Sequence, residues 1–69
     1  DEKKLFAVIK AAFAQRRKTL ANALKNAPQL NLSREKVEQT LTQMGLTADI
    51  RGEKLSLSEF AELTDRLFG

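Results

Sequence analysis

The chain has 69 residues and contains no cysteine, histidine, tryptophan or tyrosine. That length allows one domain burying about 60% of its unfolded surface, with no disulfide or cysteine-held zinc to reinforce it. The missing histidine removes the commonest general base and the commonest metal ligand, which argues against catalysis or a metal centre within this segment.

Charge is distributed unevenly. Residues 1–27 carry seven basic groups (Lys3, Lys4, Lys10, Arg16, Arg17, Lys18, Lys25) and two acidic ones, a net +5, whereas residues 28–69 carry five basic and seven acidic groups, a net −2. A basic half beside a mildly acidic half fits a polyanion meeting the first half, although a mixed-charge solvated surface gives the same arithmetic. No apolar run approaches the roughly 18 residues of a membrane span. The chain opens on Asp1-Glu2-Lys3-Lys4 rather than on a signal peptide, so the expected setting is cytoplasmic, with no membrane contact.

Residues 2–14 have helical spacing, with Leu5, Ile9, Ala12 and Phe13 on one stripe that Phe6 and Val8 widen. Asp1 and Glu2 stand where the helix dipole favours negative charge. A second helix is expected over residues 17–26, with Leu20, Ala23 and Leu24 on one side, ending near Asn26 because Pro28 disfavours helical geometry at Ala27. In one unbroken helix, Arg16 would fall within the apolar stripe between Phe13 and Leu20. Burying a guanidinium requires a carboxylate or carbonyl partner. Either the helix breaks near Gln15, which is the expectation, or Arg16 turns inward and is paired.

A third helix follows Ser33 as N-cap, with Leu32 and Val37 as a hydrophobic staple, Val37, Leu41 and Met44 as the buried stripe, and Gly45 as the stop. Residues 46–55 form a connection with one short helical turn expected around Ala48–Arg51. The fourth helix starts at Ser56, where Ser56 and Glu59 form a capping box and Leu55 and Phe60 a staple. Its apolar face is Leu57, Phe60, Ala61, Leu63, Thr64, Leu67 and Phe68. No segment alternates with period two. The expected fold is all-α, a small orthogonal bundle of four to five short helices over residues 1–69, monomeric.

These elements carry three segments of chemical interest. Residues 49–60 resemble the second half of a calcium-binding EF-hand, but with Glu59 as the final ligand the first, third and fifth positions are Ala48, Ile50 and Gly52, which offer no side-chain oxygen. The phenylalanines Phe6, Phe13, Phe60 and Phe68 sit at core spacing, which favours packing over base stacking. The sharpest segment is Phe13-Ala14-Gln15-Arg16-Arg17-Lys18-Thr19-Leu20. Adjacent cations on a helix diverge by about 100°. All three therefore cannot face one phosphate, and two reaching outward leave one to pair within the fold, with Glu53 and Asp49 as the candidate acids.

The run Ala12-Phe13-Ala14-Gln15-Arg16-Arg17-Lys18-Thr19-Leu20, continued by Asn22 and Leu24, resembles the motif A-F-x-Q-R-R-K-T-L-x-N-x-L that opens the C-terminal domain of the KsgA family of small-subunit rRNA adenine N6,N6-dimethyltransferases. Met44-Gly45-Leu46 and Arg51-Gly52-Glu53-Lys54-Leu55-Ser56, followed by Ser58, Glu59 and Phe60, are similar to that family's later M-G-[LI] and R-[AG]-E-x-L-S patterns. The resemblance runs from about Leu5 to Leu67.

The resemblance implies a parent enzyme in which a Rossmann-like N-terminal domain, absent from this chain, binds S-adenosylmethionine and dimethylates N6 of two adjacent adenines near the 3′ end of 16S rRNA. The helical C-terminal domain helps dock on the small ribosomal subunit. The family's cofactor loop and its Asn-Leu-Pro-[Tyr/Phe] catalytic motif have no counterpart here, so no catalytic, cofactor or metal residue carries over. Gln15, Arg16, Arg17 and Lys18 do carry over, as do Arg51 and Glu53. Arg17 and Lys18 are assigned to rRNA phosphates, Lys10 and Lys25 extend the track, and Arg16 with Glu53 is the candidate internal ion pair. The alternative is a free-standing helical nucleic-acid-binding or protein-interaction module with no attached enzyme.

Overall fold

The computed structural model describes residues 2–69, so the dipole role expected of Asp1 lies outside the described residues. Glu2 opens the first helix, α1 (Glu2–Ala14), as the acidic group of its first turn. The chain then breaks at residues 15–18, where the Lys18 N–H donates to the Gln15 carbonyl at 2.9 Å. This is the break expected from the conflict between Arg16 and the apolar stripe.

The second helix, α2 (Leu20–Lys25), starts three residues later than the pattern suggested. Thr19 adopts an extended backbone, and its hydroxyl accepts from the Asn22 N–H at 3.3 Å. The cap therefore falls at Thr19, and the three cations before it lie in the turn. Beyond Asn26, Pro28 opens a 3-10 turn (Pro28–Leu30) that the sequence reading did not foresee. Proline supplies the fixed φ of a first helical position, where no backbone donor is needed.

α3 (Arg34–Gln43) and α4 (Leu57–Phe68) begin where their local signals place them. The Ser33 hydroxyl accepts from the Lys36 N–H at 3.1 Å. At α4 the Ser56 hydroxyl accepts from the Glu59 N–H at 3.2 Å, and the Ser56 N–H donates to Glu59 Oε1 at 2.8 Å. Gly45, at φ 81°, ends α3. The Leu46 N–H donates to the Leu41 carbonyl and the Gly45 N–H to the Thr42 carbonyl, the paired closure of a Schellman end. The helical turn of the connection is displaced from Ala48–Arg51 to a 3-10 turn at Gly52–Lys54, with only a hydrogen-bonded bend at Thr47–Ile50. No strand occurs among the described residues.

Because both caps on α4 are reciprocal, Ser56→Ala removes one partner and weakens the geometry of the other. We expect it to destabilise the chain by about 1 kcal/mol, read as a lowered urea midpoint with unchanged slope. A midpoint equal to wild type would mean that water replaces the cap without loss.

The helices close a ring in which α1 packs on α2 and α4, and α3 packs on α2 and α4. The core is built from Val8, Ala11 and Ala12 of α1, Leu20, Ala21 and Leu24 of α2, Leu30, Val37 and Leu41, and Phe60 and Leu63 of α4. Two buried threonines are satisfied within their own helices: Thr40 Oγ1 donates to the Lys36 carbonyl and Thr64 Oγ1 to the Phe60 carbonyl, each at 2.8 Å. Gly52 brings the Gly52–Lys54 turn against α1, where a Cβ at this position would stand 3.1 Å from the Ala12 Cβ. Lys4 Nζ lies 4.9 Å from the centroid of the Phe68 ring, joining the start of α1 to the end of α4.

The α1 stripe is rotated from its expected position. Val8, Ala11 and Ala12 are buried, Leu5 and Ile9 are half-buried, and Phe6 and Phe13 are 64% and 45% exposed. α2, α4 and the Gly52–Lys54 turn all approach α1 on its alanine side, where small side chains allow close packing. The apolar arc of α1 is wider than these neighbours cover. Leu57, placed on the apolar face of α4 by its spacing, is also exposed, at 68%.

Candidate nucleic-acid interface

The turn between α1 and α2 is held at both ends by main-chain bonds. On one side the Lys18 N–H meets the Gln15 carbonyl. On the other the Leu20 N–H donates to the Ile50 carbonyl at 2.8 Å, tying the start of α2 to the 46–55 connection. Asn26, at the end of α2, donates from Nδ2 to Gln15 Oε1 at 3.0 Å and spans the open side of the α1–α2 corner. A short loop carrying three cations is thereby given a defined backbone.

Arg16, Arg17 and Lys18 are all exposed, and no ion pair joins any of them to a carboxylate among the described residues. The expected Arg16–Glu53 pair is therefore corrected: Glu53 is exposed in the Gly52–Lys54 turn, and the ion pairs Arg34–Glu38 and Arg66–Glu62 each lie within a single helix. Asp49, the other candidate acid, is exposed as well. Pairing was required only if the helix ran on and buried Arg16. The break puts the guanidinium in water and removes that requirement.

Gln15, Arg16, Arg17 and Lys18 line a shallow depression of about 360 Å³ together with Ala14. Ala14 and Gln15 also line a neighbouring groove of about 240 Å³, whose polar edge is Lys10, Asn26 and Gln29 and whose floor is alanine and proline. Of the predicted residues, Gln15, Arg16, Arg17, Lys18 and Lys10 thus occupy one continuous face. Lys25 is exposed in the last turn of α2 but lines neither concavity. The three cations follow the C-terminal end of α1, where exposed carbonyls favour positive charge. The concavity on α3, lined by Glu35 and Glu38 with Gln39, Thr42, Gln43 and Ala48, has the wrong sign for a polyanion.

One residue of this face was not legible in the sequence. Asn26 holds Gln15, and nothing in a glutamine and an asparagine eleven positions apart signals the bond. Arg51, which matches the later family motif, is exposed and follows Ile50, whose carbonyl is bonded to Leu20, so the backbone carries this cation toward the start of α2. No helix of the described residues is long and apolar enough to cross a membrane.

No family model matches the chain. Among known proteins it is similar to ribosomal RNA small subunit methyltransferase A of Lachnoclostridium phytofermentans, 48% identical over 65 residues covering 94% of this chain and 22% of that protein. The proteins of the same name from Caldanaerobacter subterraneus subsp. tengcongensis and Clostridium acetobutylicum are 44% and 46% identical, each over 68 residues covering 99% of this chain and 24% of theirs. The chain therefore spans about a quarter of the length of the curated relatives it matches, and corresponds to their C-terminal part. With Arg16, Arg17 and Lys18 exposed within the Q-R-R-K-T-L run and this identity along nearly its whole length, the chain belongs, as a segment, to the ribosomal RNA small subunit methyltransferase A family, also called KsgA.

Proposed function

We propose that this chain is the rRNA-docking C-terminal domain of an S-adenosylmethionine-dependent 16S rRNA adenine dimethyltransferase, cytoplasmic and monomeric, whose parent dimethylates N6 of two adjacent adenines near the 3′ end of small-subunit rRNA. The observation that carries the reading is the turn at residues 15–18, which holds three exposed cations without an acidic partner on a fixed backbone, within a segment that matches such enzymes. Guanidinium forks bind phosphate oxygens in pairs, and a lysine adds a point charge. Such contacts set register and orientation on the RNA and leave the choice of base to the catalytic part. Arg16, Arg17 and Lys18 take the phosphates, Gln15 is held in place by Asn26, and Lys10, Lys25 and Arg51 extend the positive surface.

This chain's residues do not fit S-adenosylmethionine. Gly45 ends a helix, Gly52 is packed against Ala12, Leu20 and Phe60, and no glycine-lined loop opens onto a cavity among the described residues. The cofactor and the transfer step belong to the N-terminal part of the parent, and no step is assigned to this segment.

The test uses the full-length parent. Its upstream sequence is expected to carry a glycine-rich cofactor loop and an Asn-Leu-Pro-Tyr motif or close variant, and the protein to methylate small subunits lacking the modification. Binding to those subunits is expected to weaken steeply with salt, by a log–log slope of about 0.7–0.9 per phosphate neutralised. A reading frame that starts just before Asp1 overturns the enzyme assignment. Salt-insensitive binding overturns the docking role.

A further inference from the structure

The outward face of α1 is not polar. Phe6 and Phe13 lie seven residues apart, and therefore on one side of the helix, at 64% and 45% exposure, with half-buried Ile9 between them. Phe13 continues the face onto α4 by a tilted contact with Phe60, centroids 6.2 Å apart, and Leu57, 68% exposed, stands one turn before Phe60. Large apolar side chains gathered across two helices mark an interaction surface rather than scattered exposure.

We infer that this face, Phe6, Ile9, Phe13 and Leu57, is the seat of the chain segment that precedes Asp1 in the full-length protein. The inference rests on the reading of this chain as the C-terminal part of a longer enzyme. The relatives are roughly four times as long and match here in their C-terminal part, so the remaining mass joins at the start of α1. Phe6 is one helical turn from that junction. A tethered domain meets the nearest apolar face at high effective concentration, so a modest patch is enough to hold it. The aliphatic members decide between protein and RNA as the occupant: Leu57 and Ile9 offer a base no ring to stack on, and the arginines that would accompany stacking lie at residues 16, 17 and 51.

Hydroxyl-radical footprinting of the full-length protein, read residue by residue by mass spectrometry, tests this. We expect Phe6 and Leu57 to be oxidised about as slowly as buried Phe60 and Leu63, on the order of tenfold below the rate their exposure in the isolated fold implies. The double variant Phe6→Ser and Leu57→Ser changes two solvent-facing positions and leaves the bundle folded. It is expected to raise proteolysis at the junction before Asp1 by a similar factor, with unchanged helical circular dichroism.

Fast oxidation of Phe6 and Leu57 in the full-length protein overturns the inference, as does an unchanged cleavage rate in the variant. Protection that appears only when RNA is added overturns it in favour of base stacking. An upstream segment without a methyltransferase domain would defeat the enzyme reading. Protection of Phe6 and Leu57 by that segment would still stand.

Discussion

Leu20→Ala is expected to cost about 2–5 kcal/mol, the range for truncating a fully buried leucine that leaves a cavity. Leu20 is 0% exposed and belongs to the core shared by α1, α2 and α4, and its Cδ1 would meet a Cβ at Gly52 at 3.7 Å. Domains are stable by roughly 0.05–0.15 kcal/mol per residue, which for this length is on the order of 3–10 kcal/mol, so the variant stands close to its unfolding threshold. Without tryptophan or tyrosine the measurement is helical circular dichroism in urea rather than their fluorescence. Leu20→Met keeps the volume and is expected to lose under about 1.5 kcal/mol. A Leu20→Ala midpoint equal to that of Leu20→Met would mean that the bundle collapses around the cavity. The Leu20 N–H on the Ile50 carbonyl is a main-chain bond that both variants keep, so RNA binding by the folded fraction is expected to be the same in the two.

Neutralising the turn, with Arg16→Gln, Arg17→Gln and Lys18→Gln combined, is expected to weaken binding of the full-length protein to small ribosomal subunits by on the order of 10²-fold. Three charge-assisted contacts at about 1 kcal/mol each, below the usual range because the sites are exposed, amount to that factor. The salt slope is expected to fall by about 2 in magnitude. Glutamine is chosen over glutamate because an anion beyond the C-terminal end of α1 would oppose the helix dipole and mix a folding defect into the result. Since none of the three cations is ion-paired among the described residues, stability is expected to stay within about 0.5 kcal/mol of wild type. Lys25→Gln, outside both concavities, serves as the comparison and is expected to lose far less. Equal losses from Lys25→Gln and the triple variant would mean that only net charge matters and that the turn has no special place.

The two effects separate cleanly because the interface and the core meet at one backbone bond and share no side chain. Arg16, Arg17 and Lys18 contribute charge and nothing to packing, while Leu20 contributes packing and only its amide to the turn. The Gln15 side chain is held by Asn26 across the corner.

The sequence by itself determined the four helices and the caps that bound α3 and α4, though not the start of α2 at Thr19. Ser33, the Ser56–Glu59 box, Gly45 and Pro28 act through hydrogen bonds and steric limits that reach no further than three or four residues, so composition and spacing suffice to read them. The break near Gln15 was legible for the same reason, since an arginine on an apolar stripe is a local contradiction. Tertiary structure alone decided which side of α1 is buried, that Arg16 pairs with no carboxylate among the described residues, that Asn26 holds Gln15, and that the connection turns at Gly52 rather than Ala48. Those outcomes depend on how four helices compete for a small amount of buried surface. The alanine side of α1 won because small side chains admit α2, α4 and the Gly52 turn together, and Phe6 and Phe13 were left facing out.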